Sequence, residues 1–134
     1  MAIPKVGGGY QYTDGNLNEV VLDVVPVPAT FSSTATLSVA DTINGLIIAD
    51  KGSDAATTAT LPTVADLEAT LVNAKVGSAF MFTIINKASG SSADVTVAVG
   101  TGWTLVGLVV IQQATSAGFL ARKTGDGAWT LYAL

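Results

Sequence analysis

The amino-acid sequence predicts a mainly-β fold, a jelly-roll-like sandwich or barrel with one short helix and an extended N-terminal arm. Three observations predict it: short runs rich in β-branched and aromatic residues, turn-forming residues between those runs, and one stretch with helical periodicity. Many short strands separated by evenly spaced turns are typical of sandwiches and barrels. We divide the 134 residues into an arm over residues 1–34 and a β domain over residues 35–134.

The predicted arm is rich in glycine, proline and turn-forming residues. A short strand is possible over residues 18–25, and the Val-Pro-Val-Pro sequence after it favours extended or edge structure. We expect the arm to lie over a partner, and a partly ordered N-terminus is the alternative. The candidate contact residues are those of its glycine-rich and turn-prone motifs, namely Val6, Gly7, Gly8, Gly9, Tyr10, Tyr12, Asp14 and Asn16.

The most strongly β-forming stretch covers residues 76–99. An aromatic and β-branched run is followed by a polar loop over residues 86–92, and then by Val95, Val97 and Val99 on one face of a second strand. Two such runs joined by a short loop predict a β-hairpin. Further strands are predicted over residues 35–39, 46–49, 57–61, 103–105, 108–112, 118–123 and 128–131, with turns at 44–45 and 124–127.

One helix is predicted over residues 63–74. Thr63 is a suitable N-cap, and Asp66 places a carboxylate in the first turn, near the exposed amide groups. Leu67 and Leu71 follow at helical spacing on one face. The helix therefore has one apolar side that faces the β domain.

The composition predicts a subunit of a larger assembly. Charged residues make up 12% of the chain, against about 25% in an ordinary soluble domain, and the mean hydropathy is +0.53. Glycines interrupt the uncharged stretch over residues 95–121, so no membrane span is expected. A large, permanent protein interface explains so few charges. The net charge of −4 and the scattered basic residues argue against nucleic-acid binding.

Catalytic chemistry is not expected, because the chain contains neither histidine nor cysteine and its serines lack a visible activating base. A carboxylate-based hydrolase assembled from distant acidic residues is the weakest of the alternatives. Asp50, Ser53 and Asp54 surround a glycine, but their spacing does not match a calcium-binding EF-hand loop. A solvated turn is the favoured interpretation, and we expect neither a metal nor a cofactor.

Four aromatic residues are candidates for the core or for a subunit interface. They are Phe80, Phe82, Trp103 and Trp129, which lie in or beside predicted strands. The alternative is that one of the two tryptophans is exposed and stacks on a sugar ring.

The strand motifs of residues 57–134 resemble those of bacteriophage virion proteins. They are Thr60-Leu61-Pro62, the Gly-x-x-Phe-x-Phe of residues 77–82, Val95-Thr96-Val97, Gly100-x-Gly-Trp103 and the Gly-x-Trp-x-Leu of residues 127–131. Such motifs occur in head decoration (cement) proteins and in fibre domains, and the helix at 63–74 favours a compact decoration protein.

The resemblance implies a homotrimer on the outer surface of the phage head. There it would bind the major capsid protein and stabilise contacts between shell subunits. The alternative is a fibre or tail module that recognises a glycan on the host.

Overall fold

The computed structural model describes residues 22–52, 55–90 and 92–134, and the predicted contact residues between Val6 and Asn16 lie outside them. Ten strands and two short helices are present in this part of the chain. In order they are β1 (Ala29–Phe31), β2 (Ala35–Thr36), α1 (Val39–Thr42), β3 (Leu46–Ala49), β4 (Thr57–Thr60), α2 (Val64–Thr70), β5 (Ala79–Asn86), β6 (Val95–Ala98), β7 (Trp103–Val106), β8 (Val110–Ile111), β9 (Ser116–Gly125) and β10 (Ala128–Ala133).

The strands form two sheets between which the chain alternates. The six-stranded sheet has the order β1-β3-β5-β9-β10-β7, and the four-stranded sheet has the order β2-β4-β6-β8. From β1 to β6 each strand is followed by one in the other sheet, so β1, β3 and β5 pair in parallel, as do β2, β4 and β6. β9 then inserts between β5 and β10 and pairs with both in antiparallel orientation.

The predicted mainly-β, two-sheet class is confirmed, but the predicted hairpin over residues 76–99 is wrong. β5 and β6 belong to different sheets. β5 pairs with β3, and β6 pairs with β4, so each pairs with the strand two places before it in the chain. Alternation of apolar residues identifies a strand and its buried face, but two strands in facing sheets show the same pattern as two paired neighbours. Five of the eight strand pairings are parallel, whereas those of a jelly roll are antiparallel.

The predicted helix is present as α2, with the predicted cap. The Thr63 side chain accepts a hydrogen bond from the Asp66 amide, and Val64 and Leu67 are buried. The helix ends at Thr70, four residues earlier than predicted. A second helix, α1, was not predicted, because its four residues are too few to show periodicity.

Two further features concern the turn before the last strand and the boundary between the arm and the β domain. The predicted turn before the last strand is confirmed, since β9 and β10 form a hairpin with Asp126 and Gly127 at its tip. β1 lies within the segment assigned to the arm and pairs with β3. Residues 29–31 therefore contribute to the six-stranded sheet.

The core lies between the two sheets and below α2. Phe82 and Phe119 stack with ring centroids 5.3 Å apart, one from β5 and one from β9. The side chains that are almost completely buried come from both sheets and α2: Ile47, Leu61, Val64, Leu67, Phe82, Ile84, Val95, Val97, Ile111, Phe119, Trp129 and Leu131. β3, β4, β5 and β6 contribute alternate residues to this core, as expected for packed sheets.

The loop that contains Gly100 and Gly102 supports the first turn of α2. The Thr101 carbonyl accepts a hydrogen bond from the Val64 amide at 3.0 Å, and the Gly102 carbonyl accepts one from the Trp129 amide at 3.1 Å. Gly102 has φ +98°, and a Cβ there would lie 2.7 Å from the Val64 Cβ. Only glycine satisfies both the backbone conformation and the close approach.

Replacement of Gly102 by alanine is expected to lower the free energy of unfolding by about 1–3 kcal/mol, because positive φ strains a residue with a Cβ and the Cβ also overlaps Val64. Chemical denaturation of the two proteins measures this difference. Gly125→Ala is the matched control, since a Cβ there meets only the Ala128 Cβ at 4.0 Å. Equal losses in both variants would show that the loop does not need a glycine at position 102.

Candidate functional site

The described end of the arm is an extended segment with exposed apolar side chains. We call residues 22–28 the strap. The exposed fractions of Leu22, Val24, Val25 and Val27 are 84%, 91%, 66% and 86%. Two prolines, at positions 26 and 28, keep the end of the strap extended.

The strap joins the domain at the turn between α1 and β3. The Asn44 Nδ2 donates a hydrogen bond to the Val27 carbonyl at 3.0 Å, and two residues later β1 begins its pairing with β3. The C-terminal end of the strap is therefore fixed to the domain, while its apolar side chains point away from the core. Such a segment is suited to contacts with another protein surface.

The four aromatic candidates form one cluster in and beside the core. Trp129 lies at its centre, with ring centroids 5.8 Å from Phe80 and 6.1 Å from Trp103, and Phe80 lies 6.1 Å from Phe82. Trp129 and Phe82 are buried, whereas Phe80 and Trp103 are half-buried. Phe80 and Trp129 also line a groove of about 370 Å³ beside the end of α2.

The two tryptophans are fixed by hydrogen bonds as well as by packing. Trp103 Nε1 donates to the Pro62 carbonyl at 2.8 Å, and Trp129 Nε1 donates to Glu68 Oε2 at 3.0 Å. With 1% of its surface exposed, the Trp129 ring has no free face on which a sugar ring could stack. The cluster therefore attaches α2 and β7 to β10.

Glu68 connects α2 to the hairpin of β9 and β10. Its Oε2 lies 2.8 Å from the Lys123 Nζ, and its Oε1 accepts a hydrogen bond from the Gly127 amide at 3.2 Å. With the Trp129 indole, three donors converge on one carboxylate. The hydrogen bonds from Lys123 and Trp129 hold the pKa of Glu68 below its ordinary value of 4.5, and desolvation opposes them in part. These contacts hold α2 against the hairpin, and this is the structural role of Glu68.

A second polar cluster lies where the chain crosses from β5 to β6. Asn86 is fully buried, and its Nδ2 donates to the carbonyls of Ala93 at 2.8 Å and Ile111 at 3.1 Å. The Lys51 ammonium donates to three carbonyls, the closest being that of Ala93 at 2.6 Å. Burial lowers the pKa of Lys51, and Asp94 offsets part of this effect. Both side chains satisfy buried backbone groups.

The loop considered for a cation contains Asp50, which pairs with Lys87 across 3.3 Å. The neighbouring candidates Ser53 and Asp54 lie outside the described residues. Within residues 22–52, 55–90 and 92–134, no group of three or more acidic side chains is positioned to hold a metal ion. Neither helix in these ranges is long enough and apolar enough to cross a membrane.

Sequence reasoning located the aromatic cluster but missed the polar groups that attach to it. No local pattern marks Glu68, because its partners Lys123 and Gly127 lie more than 50 residues away in sequence. Asn86 was assigned to a polar loop although it is buried. A polar residue at an inward position of an alternating strand, as in Ile84-Ile85-Asn86, is the signal that could have identified it.

Replacement of Glu68 by glutamine is expected to lower the melting temperature most at neutral pH and less in acid. A carboxylate whose pKa is lowered on folding stabilises the protein above its unfolded pKa, and this stabilisation is lost as the pH falls through the folded value. The difference in melting temperature between the two proteins should therefore shrink below pH 4.5. Thermal unfolding followed by circular dichroism from pH 3 to pH 7 measures it.

Asp126→Asn is the matched control for this prediction. It removes the exposed carboxylate that lies 3.9 Å from the same lysine, and exposed ion pairs contribute little to stability. A difference between Glu68→Gln and the unchanged protein that is the same at every pH would contradict the role assigned to the Glu68 carboxylate.

Comparison of the chain with protein-family models, with curated proteins and with solved structures finds no match. The function is therefore inferred from the residues themselves. The described part of the site offers two kinds of feature: buried polar and aromatic clusters that hold the fold together, and apolar side chains that the fold leaves exposed. The exposed features are the ones that can act on another molecule.

Proposed function

We propose that this chain is a capsid decoration protein that binds the outer surface of a phage head and stabilises contacts between major capsid subunits. The observation that carries the proposal is the strap. Its C-terminal end is fixed to the domain, and it exposes four large apolar side chains. Together with the glycine-rich residues that precede it, the strap is suited to lie in a groove between shell subunits. The likeness of its strand motifs to those of virion proteins supports the same assignment.

The physical role of such a protein follows from binding linkage. A ligand that binds the assembled shell, and not its separated subunits, stabilises the assembly by a free energy that grows with the logarithm of its affinity. The proposed homotrimer would present three straps to a threefold point of the shell, and a cyclic trimer matches that symmetry. Simultaneous engagement of three modest contacts gives much tighter attachment than one contact alone.

The attachment is expected to depend on the strap side chains. In Val24→Asp and Val27→Asp variants a charge replaces an apolar group, and each change should weaken binding to undecorated shells by about tenfold or more. Co-sedimentation of purified protein with shells that lack it gives the affinity. Val72→Asp is the matched control, because Val72 is 74% exposed beyond the end of α2, outside the strap.

Deletion of residues 1–20 extends the same experiment to the rest of the arm. The truncated protein should keep the circular dichroism spectrum of the β domain while losing affinity for shells. Unchanged binding by the strap variants and by the truncated protein would rule out an arm-mediated attachment.

The number of copies in purified virions distinguishes a decoration protein from a fibre. Quantitative mass spectrometry against the major shell protein should give hundreds of copies, in simple ratio to the shell subunit, because a decoration protein occupies repeated lattice positions. A few tens of copies or fewer would indicate the fibre or tail module instead. Absence from virions would reject both.

A further inference from the structure

The outward face of the six-stranded sheet carries an apolar row that crosses four strands. Met81, Leu120, Tyr132 and Val106 occupy directly paired positions on β5, β9, β10 and β7. We call these four residues the outer row. The exposed fractions of Met81 and Val106 are 60% and 47%, and the other two side chains are half-buried.

The rest of this face mixes apolar side chains with the hydroxyls of Thr30, Thr83, Thr104, Ser116 and Thr130. A second row contains Ile48 of β3 and Ile85 of β5, which are paired and half-buried. Between the two rows lies Gly118, and a Cβ built there would meet nothing within 4 Å. The face is therefore open and level at its centre, which suits contact with another extended surface.

One charged residue lies on the outward positions of the described strands of this sheet. It is Arg122, and its guanidinium lies close to Gly77 at the end of the sheet, with Nη2 3.8 Å from the position of a Cβ on that glycine. The other charged strand residue, Lys123, points inward to Glu68. Outward strand positions in a sheet that faces water are usually polar. On this face the polar residues other than Arg122 are uncharged, and they flank the apolar outer row.

The helices and the second sheet lie on the other side. α2 reaches the six-stranded sheet through Glu68, whose partners Lys123 and Trp129 are inward residues. The four-stranded sheet supplies Val95, Val97 and Ile111 to the core that the two sheets share. Within the described part of the chain, the outer row has no covering element.

The face is large enough for a stable protein contact. With strands about 4.8 Å apart and a rise of about 3.3 Å per residue, the six strands cover roughly 550 Å² of flat area. Two copies packed through it would bury roughly 1,100 Å² before side-chain relief is counted, and a specific interface needs about 1,000 Å².

A second copy of this chain is the partner that fits the face best. Apolar side chains without a charge pattern are complementary to themselves, so no matching charges are needed on the other surface. Such a face would also be covered as soon as copies of the chain are present, before any shell is encountered.

We propose that the outward face of the six-stranded sheet is buried against a second copy of this chain in solution, with the outer row at the centre of the contact. Because the same face of two copies meets, the contact is two-fold and is separate from the threefold contacts of the proposed homotrimer. The inference concerns the purified protein alone and does not depend on the proposed role on the phage head. It can fail while attachment to shells holds, and it can hold in a protein that binds no shell.

The test uses the absence of cysteine from the natural sequence. Single-cysteine variants Met81→Cys and Val106→Cys place a reactive thiol on the face, and Val72→Cys places one on an exposed site beyond the end of α2. Labelling with a water-soluble maleimide is followed at high and at low protein concentration, and light scattering gives the mass at each concentration. Two positions on the face are used because a single cysteine substitution can itself disturb the contact.

The expected result is a mass of two or more chains at high concentration, with labelling at positions 81 and 106 slowed by about tenfold or more. Dilution should restore fast labelling together with the monomer mass, while Val72→Cys labels fast throughout. A Met81→Glu variant should have the monomer mass at the concentration where the unchanged protein associates, with an unchanged circular dichroism spectrum. Val72→Glu is its control and should associate normally.

Three outcomes would overturn the proposal. Fast labelling of both face positions at every concentration would show that the face is free. Slow labelling in a protein of monomer mass would show that the chain covers the face itself. Association that persists unchanged in folded Met81→Glu protein would place the contact elsewhere.

Discussion

The fold depends on the place where Asn86 joins the two sheets. The chain leaves β5 in one sheet and enters β6 in the other. The buried amide of Asn86, the last residue of β5, donates to the carbonyls of Ala93, just before β6, and of Ile111, in β8 of the other sheet. Its Oδ1 also accepts the Ala88 amide at 3.2 Å, so all three contacts satisfy groups that water cannot reach. An apolar residue of similar size would remove all three bonds and leave the Ala93 carbonyl with Lys51 as its side-chain donor. One polar side chain thus keeps the crossing at a fixed place.

The strands were predictable because each has its own pattern, whereas their pairing was not. The alternation in Val95-Thr96-Val97 indicates a strand with one buried face, but the same alternation suits a neighbour in the same sheet or in the opposite one. Local signals were reliable where one short segment determines the structure, as with the Thr63 cap and the turn at Asp126 and Gly127. Contacts between distant segments, such as Glu68 with Lys123, leave no local pattern.

Most of the charged residues in the described part of the chain lie outside the strands. Within the described strands the charged residues are Arg122 and Lys123, and the other charged residues of the described ranges lie in helices, turns and loops. This distribution leaves Arg122 as the one charged residue on the outward positions of the described strands of the larger sheet. A uniform shortage of charge and a localised one have different consequences, because a localised shortage leaves one whole face almost free of charge and exposes the apolar outer row within it.

The strap and the outer row lie toward opposite edges of the same sheet, so each can contact a different protein at the same time. The strap leads into β1 at one edge, whereas the outer row extends from β5 to β7 at the other edge. Association through the row would therefore leave the strap of each copy free for a different partner. Linked straps act at a high effective concentration, and this raises the strength of attachment without any additional contact. A surface that joins copies and a segment that reaches outward are thus two parts of one way to bind a repeating lattice.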